Sequence, residues 1–424
     1  MKTLKKIYSK EYLLLIGIGL LPLMWKILEI CFLSSYNNAL KILGQIALIS
    51  IIFKVFEESI INPLFKILSN ENPKYEKNNP AVVNKFLVCY LILTIIFTLL
   101  IFTFSKSIVK LSKIPTYIFN LTLEFLKIYI VACGFGIISK FLYTCSLINK
   151  DNKKMLIYFL IKSVTTTILF ICLVPRFSLG LGVKGIAISE LIINIITIVL
   201  LINVRVKGTK QNVNINLKEY LKLCCFSFAE SVVRNVVYYF VVLVFLNMLD
   251  NQDLYFVSNE FIWSIMLVPT LAQNSLIKQD FANNKESSLK PYFINSLILI
   301  GFIILLIPVA FLVFKYVYKL KNYMDFFIVL LKLLPCYSIF IVDSIIESYF
   351  ISTGKIHHVL VQTIITNILV YTTALILFLF GVWNVTLNSI ILLFNLGVVI
   401  SSIYTISAYF IEKIRQNKSG FYKF

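Results

Sequence analysis

The sequence predicts an all-α polytopic membrane protein with twelve transmembrane helices, arranged as two pseudo-symmetric six-helix lobes around a central cleft. Three observations support this prediction. The 424 residues are 59% hydrophobic with a mean hydropathy of +0.88, whereas soluble domains are about 45–50% apolar. The apolar residues form twelve runs, each near the roughly 20 residues that a membrane-spanning helix needs. The two halves of the chain also resemble each other across a short polar stretch.

The twelve predicted spans alternate with short polar turns along the whole chain. Several are longer than a perpendicular helix requires, which is typical of helices that tilt or protrude from the bilayer. Spans one to twelve cover residues 12–35, 40–68, 84–105, 117–148, 155–175, 184–204, 219–249, 254–277, 292–314, 326–352, 358–381 and 386–411.

The N-terminal stretch has the charged start and the apolar run of a secretory signal peptide. No small-residue cleavage site follows the run, and Lys26 and Glu29 interrupt it. We therefore expect this stretch to be retained as span one.

The polar connector Arg205–Lys218 separates two similar halves. The tetrapeptide Lys-Glu-Tyr-Leu opens span one at Lys10 and span seven at Lys218, and glycine turns at Gly182 and Gly381 precede spans six and twelve. Repeats in one orientation are a known plan of membrane transporters. The sequence thus predicts an N-terminal lobe (1–204), a cytoplasmic connector (205–218), a C-terminal lobe (219–411) and a cytoplasmic tail (412–424).

The net charge of +20 would suggest a nucleic-acid partner in a soluble chain, but the basic residues lie mainly at the ends of the spans. With Met1 inside, the inside loops hold over half of the 40 basic residues and the outside loops far fewer. Cytoplasmic loops carry such an excess. The sequence therefore predicts a multi-pass protein of the cell's inner (plasma) membrane with both termini cytoplasmic. We expect the lipid bilayer around it, no nucleic-acid partner and a monomer.

Cysteine and histidine usage gives no sign of a metal centre. All eight cysteines fall within predicted spans, without metal-ligand spacing, which is typical of buried thiols rather than a metal or disulfide framework. The two histidines, His357 and His358, lie in a short polar turn, too few for a histidine-built site. We expect no cofactor, no metal and no catalytic residue.

Charges inside the predicted spans are the main functional candidates, because a charged side chain at the bilayer centre costs at least about 2.5–3.5 kcal/mol. Asp343 and Glu347 lie one helical turn apart in span ten, and like charges at that spacing cannot both ionise cheaply in a low dielectric. Lys332, about three turns earlier, is too far to be an easy partner. One acid must hold a proton, bind a cation or find another cationic partner, and a proton- or sodium-coupled carrier needs such a carboxyl group.

Two further groups of charges are pairs of opposite sign. Lys26 and Glu29 in span one, and Glu230 and Arg234 in span seven, each share a helix face. Each pair is either an ion pair at a packed interface or part of a site, and we select Glu29 as the coupling acid of the N-terminal lobe. Other candidates for the substrate cleft are Glu57 and Glu260, which are acids within spans, and Tyr238 and Trp263, whose rings can bind cations but more often only pack.

Two segments carry a resemblance to a known family. The segment Leu147–Ile192 holds a polar turn between spans four and five and the Gly-x-x-Gly-x-Ala entry to span six, and Ile351–Ile365 holds the matching turn after span ten. With the twelve spans and two lobes, this pattern resembles the multidrug and toxic compound extrusion (MATE) family of the multidrug/oligosaccharidyl-lipid/polysaccharide exporter superfamily.

The resemblance implies roles for particular residues. Glu29 and the run after it match the family's acid in span one, with Glu for the usual Asp, and Asp343 resembles the span-ten acid of the sodium-coupled branch. That branch often has an acid in span seven where this chain has Asn235, which we therefore add to the cleft candidates. Ser227 stands near the start of span seven where a proline is usual. These departures leave the coupling ion, H⁺ or Na⁺, open and indicate a divergent member.

Three functions are compatible with these features of the sequence. The first is a secondary transporter that exports cationic or amphipathic small molecules by alternating access of the two lobes, coupled to H⁺ or Na⁺. The second is a flippase for a lipid-linked oligosaccharide or polysaccharide. The third, a polytopic membrane enzyme, is less favoured because the loops are too short to build a site. The flippase is favoured by the basic residues within spans, because a pyrophosphate headgroup would suit them. These residues are Lys26, Lys54, Lys140, Lys162 and Arg234.

Overall fold

The structure is a computed structural model, and its described residues form helices joined by short turns. They are residues 10–33, 36, 42, 46–68, 80–111, 116–203, 217–237, 241–242, 244–249, 251–283, 288–318, 320 and 322–421. The connector between the two halves falls almost wholly outside this set. So do Tyr238 and the side chains of Lys26 and Glu29.

The helices divide into two compact units, one formed by Leu20–Tyr220 and the other by Leu221–Phe424 together with Met1–Gly19. We call them the N-terminal and the C-terminal unit. The first half of the chain contains α1 (Lys10–Leu33), α2 (Ile46–Ile67), α3 (Pro80–Leu111), α4 (Thr116–Ile148), α5 (Asn152–Leu173) and α6 (Val183–Asn203). The second half contains α7 (Leu217–Val237), α8 (Val244–Asn247), α9 (Gln252–Met266), α10 (Val268–Asn283), α11 (Lys290–Val317), α12 (Tyr323–Ser352), α13 (Ile356–Leu379) and α14 (Leu387–Phe421).

The all-α prediction is confirmed: the part of the chain that the structure describes has no strand, and every predicted span overlaps at least one helix. Eight of the described helices are long and apolar enough to cross a bilayer, and α9 with α10, bent by 51° between them, would make a ninth. The helical assignment follows from the absence of water in the bilayer, where a helix satisfies all its backbone groups internally. The chain is a multi-pass membrane protein.

One helix lies at the centre of each unit. In the N-terminal unit α4 packs against α2, α3 and α6, and in the C-terminal unit α12 packs against α9, α10, α11 and α14. The two central helices are the fourth and the tenth predicted spans. They therefore hold equivalent places in the two halves of the repeat.

Local geometry repeats between the halves as well. The turn after α4 has Lys150 at φ 55°, and the turn after α12 has Gly354 at φ 77°. The tyrosines of the two Lys-Glu-Tyr-Leu segments also make equivalent contacts. Tyr12 donates to the carbonyl of Pro269 at 3.0 Å within the C-terminal unit, and Tyr220 donates to the carbonyl of Ile60 at 3.0 Å within the N-terminal unit. The internal repeat inferred from the sequence thus has a counterpart in the backbone and in side-chain contacts.

The turn after α12 is shorter than the sequence indicated. The helix ends at Ser352, and α13 begins at Ile356, because the left-handed Gly354 reverses the chain within three residues. His357 and His358 consequently lie in the first turn of α13 and not in a polar turn, which corrects the prediction.

Four of the helices that the structure describes with full bounds contain a turn of π-helix, in which one extra residue widens the helix. In α5 it covers Ile161–Thr165, and in α13 it covers Asn367–Thr372. The other two lie at the ends of α9 and α11, at Ile262–Met266 and Val313–Val317. Such turns occur often at functional sites, and the one in α5 carries Lys162.

The glycine turn before α6 depends on the absence of a side chain. Gly182 has φ +55°, and a Cβ on Gly185 would lie 2.9 Å from the carbonyl oxygen of Leu173. The turn is held there by hydrogen bonds from Leu181 and Gly182 to carbonyls at the end of α5. Gly185, the second glycine of the Gly-x-x-Gly-x-Ala sequence, is therefore required for the close packing of α6 against the end of α5.

We expect Gly185→Ala to lower the free energy of unfolding by about 1–3 kcal/mol, because a methyl group there forces the backbone of α5 away. Gly301→Ala is the matched control, since nothing lies within 4 Å of a Cβ at that position of α11. The midpoint of thermal unfolding in detergent, followed by size-exclusion chromatography, measures both variants. Equal midpoints for the two variants would contradict the packing argument.

Candidate functional site

Asp343 is more deeply buried than Glu347, the other predicted coupling residue whose side chain the structure describes. It lies on the central helix α12 with 3% of its surface exposed. Its Oδ2 accepts a hydrogen bond from Ser401 of α14 at 3.3 Å, and the hydroxyl groups of Ser402 and Thr405 lie beside it. Ser401 in turn accepts a hydrogen bond from Gln362 of α13. Three helices thus enclose one carboxyl group.

One oxygen of that carboxyl group has no protein partner. Oδ1 of Asp343 is fully buried and makes no hydrogen bond within the described chain, and the same is true of the Ser402 hydroxyl. A buried polar atom without a partner is costly, and a buried charge without one more so. A proton on the carboxyl group, or a small cation held by the carboxylate and neighbouring hydroxyls, would remove this cost.

The neighbours of Asp343 on its own helix do not supply that partner. Lys332 donates to Oδ1 of Asn388 at 2.8 Å, as its distance along the helix predicted. The interactions of Asp343 are with α14 and do not include Glu347. Glu347 is partly buried and interacts elsewhere. The proposed role of Glu347 beside Asp343 stays a prediction.

Glu230 and Arg234 form an ion pair within α7. Nε of Arg234 lies 2.9 Å from Oε1 of Glu230, and the Glu230 side chain is 7% exposed while that of Arg234 is 47% exposed. Thr363 of α13 also donates to this carboxylate, at 3.4 Å. Asn235, the next residue, donates to the carbonyl of Ser231 one turn earlier at 2.7 Å. The geometry therefore shows an ion pair within α7 whose carboxylate also binds α13 through Thr363.

Trp263, the one aromatic candidate that the structure describes, is engaged in packing. Trp263 donates through Nε1 to the hydroxyl of Tyr337 at 2.8 Å, and Tyr337 donates to Asn259. The ring of Trp263 also packs against Phe340, with centroids 5.4 Å apart. Glu260, between Asn259 and Trp263 on α9, is exposed. These contacts indicate that Trp263 supports α9 on α12.

The N-terminal unit brings together four charged residues that lie on four different helices. Glu57 is on α2, Lys140 on α4, Lys162 on α5 and Glu190 on α6. Glu57 interacts electrostatically with both lysines, and Glu190 interacts with Lys162. We call these four residues the charge cluster. Each of them lies within a predicted span, but the sequence does not show that they converge.

Asn194 of α6 fixes the position of Lys162. Its Oδ1 accepts a hydrogen bond from Nζ of Lys162, and its Nδ2 donates to the carbonyl of Ala132 at 3.0 Å. Gly136 leaves room for this amide, because a Cβ there would approach Nδ2 of Asn194 to 3.2 Å. Asn194 was not among the predicted site residues, although it lies four residues after Glu190 between apolar neighbours of span six.

The two central helices carry polar groups at equivalent places. Asp343 follows Ser139 by the same number of residues as Gly354 follows Lys150. Ser139 and Asp343 therefore hold equivalent positions in the repeat. Ser139 donates to the carbonyl of Gly136 at 2.8 Å and faces Oδ1 of Asn194 at 3.4 Å. Both units thus join a central helix to its last span through a buried polar contact, and only the C-terminal unit has a carboxyl group there.

The fold matches that of solved transporters over almost the whole chain. The MATE transporter VcmN of Vibrio cholerae in the bent form superposes with a TM-score of 0.78 at 14% identity, covering 99% of this chain and 98% of that one. A MATE in the straight conformation gives 0.76 at 15% identity, with 97% and 96% covered. A MOP superfamily transporter from Pyrococcus furiosus gives 0.75 at 15% identity, with 98% of each chain covered.

Comparison by sequence gives a different result: no protein-family model and no curated protein sequence matches this chain. The predicted fold class is confirmed by the structural matches, and the chain has the fold of the MATE transporters. This agreement in fold extends across both units.

Proposed function

We propose that this chain is a divergent MATE family member, a secondary transporter that exports cationic or amphipathic small molecules in exchange for H⁺ or Na⁺. The observation that supports it best is the carboxyl group of Asp343, buried in a membrane-spanning helix with one oxygen lacking a partner. Intramembrane carboxyl groups that face the protein interior are typical of ion and proton pathways. The fold, shared with solved MATE transporters, supports the same function.

The coupling ion would act by binding one conformation of the transporter better than another. A ligand shifts a conformational equilibrium only by its difference in affinity for the two states. In the state described here, the hydroxyl groups of Ser401, Ser402 and Thr405 surround Asp343, and a proton or cation would satisfy its Oδ1. A state that rearranged these hydroxyls would release the ion. Substrate and ion would then exchange through alternating access of the two units.

The other sequence-predicted residues keep the roles given to them. Glu29 and Glu347 are further coupling candidates. The remaining substrate-cleft candidates are Glu57, Lys26, Glu230, Arg234, Asn235, Glu260, Tyr238 and Trp263. We also infer a monomer in the inner (plasma) membrane with cytoplasmic termini, no enzymatic activity, and no cofactor besides the coupling ion.

The lysines of the charge cluster favour a second function, the transport of a lipid-linked oligosaccharide. Lys140 and Lys162 lie within membrane-spanning helices of one unit and would suit the pyrophosphate of such a substrate better than a cationic drug. The transporter from Pyrococcus furiosus, which shares this fold, is described as having a binding pocket of reverse polarity that suggests a different function.

The experiment that tests the first function uses the purified chain in proteoliposomes. A fluorescent cationic dye is followed under an imposed proton gradient, then under a sodium gradient, with protein-free liposomes as control. We expect one gradient to drive dye movement and the matching ionophore to abolish it. Dye movement that neither gradient changes would contradict coupled export, and sugar-transferase genes beside the coding gene would then favour the second function.

A further inference from the structure

We propose that the charge cluster of the N-terminal unit binds a phosphate-type dianion between Lys140 and Lys162, and that Glu57 and Glu190 take up protons when the anion binds. The site lies in a different unit from Asp343. Its test measures binding and not transport, so the proposal can fail while coupled export stands, and the reverse also holds.

The charges of the cluster do not neutralise each other by contact. Neither Glu57 nor Glu190 makes an ion pair or hydrogen bond within the described part of the chain, although each interacts electrostatically with lysine. All four side chains are partly exposed, while protein atoms enclose them. Each side chain therefore keeps some accessible surface in surroundings that consist largely of protein. Opposite charges that do not touch leave space between them for an occupant.

Each of the two lysines lies over a tyrosine ring, and the two lysines interact electrostatically with each other. Nζ of Lys140 lies 5.7 Å from the ring centroid of Tyr143, and Nζ of Lys162 lies 5.8 Å from that of Tyr158. The two rings stack, with centroids 4.5 Å apart, and so connect α4 to α5. Such ring contacts position an ammonium group without neutralising it.

The π-helical turn of α5 and the amide of Asn194 complete the placement of Lys162. Lys162 lies within the π-turn Ile161–Thr165, and its ammonium donates to Asn194. This single neutral partner uses one of the three donors of an ammonium group. Two donors of Lys162 therefore remain for a ligand, and lysine commonly binds phosphate groups as a point charge.

Charge balance explains the link to protons. With both glutamates ionised, the cluster has two positive and two negative charges, so a dianion entering it would leave an excess of negative charge in a low dielectric. Protonation of Glu57 and Glu190 restores neutrality, and the anion then binds two unopposed lysines. By linkage, an anion whose binding takes up protons binds more tightly at low pH.

Other titratable groups face the cluster and belong to the same balance. Glu58 and the exposed Lys54 act on Glu57 with opposite signs. Tyr158 interacts with Lys140 and Glu57. The phenol of Tyr129 and the thiol of Cys133 face Glu190. Both groups are neutral while they hold their protons, so they add no charge to the cluster. Glu58 and Lys54 act on Glu57 in opposite directions, and we expect the two glutamates of the cluster to set the pH dependence.

The test measures binding to the full chain in nanodiscs of zwitterionic lipid by isothermal titration calorimetry at about pH 5.5 and about pH 8, a range that spans the titration of buried carboxyl groups. Inorganic pyrophosphate is one probe, and short-chain phosphatidic acid within the nanodisc is the other. We expect saturable binding that is at least about tenfold tighter at the lower pH. Buffers of different ionisation enthalpy should show proton uptake.

Single variants separate the roles of lysine and glutamate. Lys140→Gln and Lys162→Gln should each weaken binding at least about tenfold. Glu190→Gln, which imitates the protonated acid, should keep tight binding at the higher pH, a gain that a damaged fold would not give. The control is Lys184→Gln, because Lys184 pairs with Glu124 at a partly exposed position outside the cluster, and we expect it to leave binding unchanged.

Each outcome decides for or against the site. Binding of pyrophosphate identifies a free anion as ligand, and binding of phosphatidic acid alone identifies a lipid headgroup; both support the proposal. The proposal is overturned if neither probe binds, if the lysine variants bind as the native chain does, or if the double variant Glu57→Gln/Glu190→Gln keeps the full pH dependence.

Discussion

Asp343→Asn is expected to leave the protein folded in the membrane and to abolish ion-driven export completely. The amide has the shape of the carboxyl group but cannot carry a proton or a negative charge, so the coupled ion loses its site. Burial of a neutral amide next to Ser401 costs less than burial of a charge, so stability should be kept or rise. The measurement is dye movement in proteoliposomes under the gradient that drives the native protein.

The matched control for this variant is Asp325→Asn, in the first turn of the same helix, where the side chain is exposed. Loss of its favourable position at the helix N-terminus costs about 0.3–1 kcal/mol, and transport should continue. Thermal unfolding gives a second measurement, because a bound ligand stabilises the folded state. The coupling ion should raise the midpoint of the native chain and of Asp325→Asn, and not that of Asp343→Asn. Undiminished coupled export by Asp343→Asn would disprove the assignment.

Arg234→Met is expected to give the largest loss of stability among the substitutions considered. It removes the guanidinium group that lies 2.9 Å from the buried carboxylate of Glu230. Removing one partner of a fully buried pair costs about 3–5 kcal/mol. Because the Arg234 side chain is about half exposed, we expect roughly 2–4 kcal/mol. The midpoint of thermal unfolding in detergent measures this loss.

Two comparisons make this result specific. In the double variant Glu230→Gln/Arg234→Met the buried carboxylate is gone as well, so most of the lost stability should return. Lys184→Met breaks the more exposed pair with Glu124, and the midpoint should hardly change, because exposed ion pairs contribute little to stability. If the double variant is no more stable than Arg234→Met, the cost comes from lost packing of the arginine stem and not from the buried charge.

The positions of the helices could be predicted from the sequence because the bilayer imposes them. Apolar runs of the required length must be helical when no water is present to bind the backbone, and each predicted span overlaps a helix of the structure. The internal repeat was also readable, since Tyr12 and Tyr220 retain the same kind of contact. The short turn before His357 was misjudged, because its length depends on the left-handed backbone of Gly354.

The candidate sites were only partly readable, because hydropathy does not tell which helices are neighbours. Lys162 and Glu190 were visible as charges within spans, but only the packing of α5 and α6 beside α4 brings them together. The hydroxyls around Asp343 had a signal that was missed. Ser401 and Thr405 are four residues apart in span twelve and so share a helix face. Asp343 was selected correctly as a buried acid, and its function stays a prediction.

The π-helical turns of α5 and α13 determine which way the side chains after them face. Each turn inserts one residue into the helical repeat, and one residue corresponds to about 100° of rotation about the helix axis. Deleting a single residue from Asn367–Thr372 would let α13 return to regular winding with its second half, from Thr373 to Leu379, still facing as it does now, because the π-turn absorbs the extra residue. Deleting a residue after the turn would instead rotate the rest of the helix by that angle and turn side chains that face the unit towards lipid. We therefore expect α13 to tolerate the loss of one residue within the turn better than the loss of one residue beyond it.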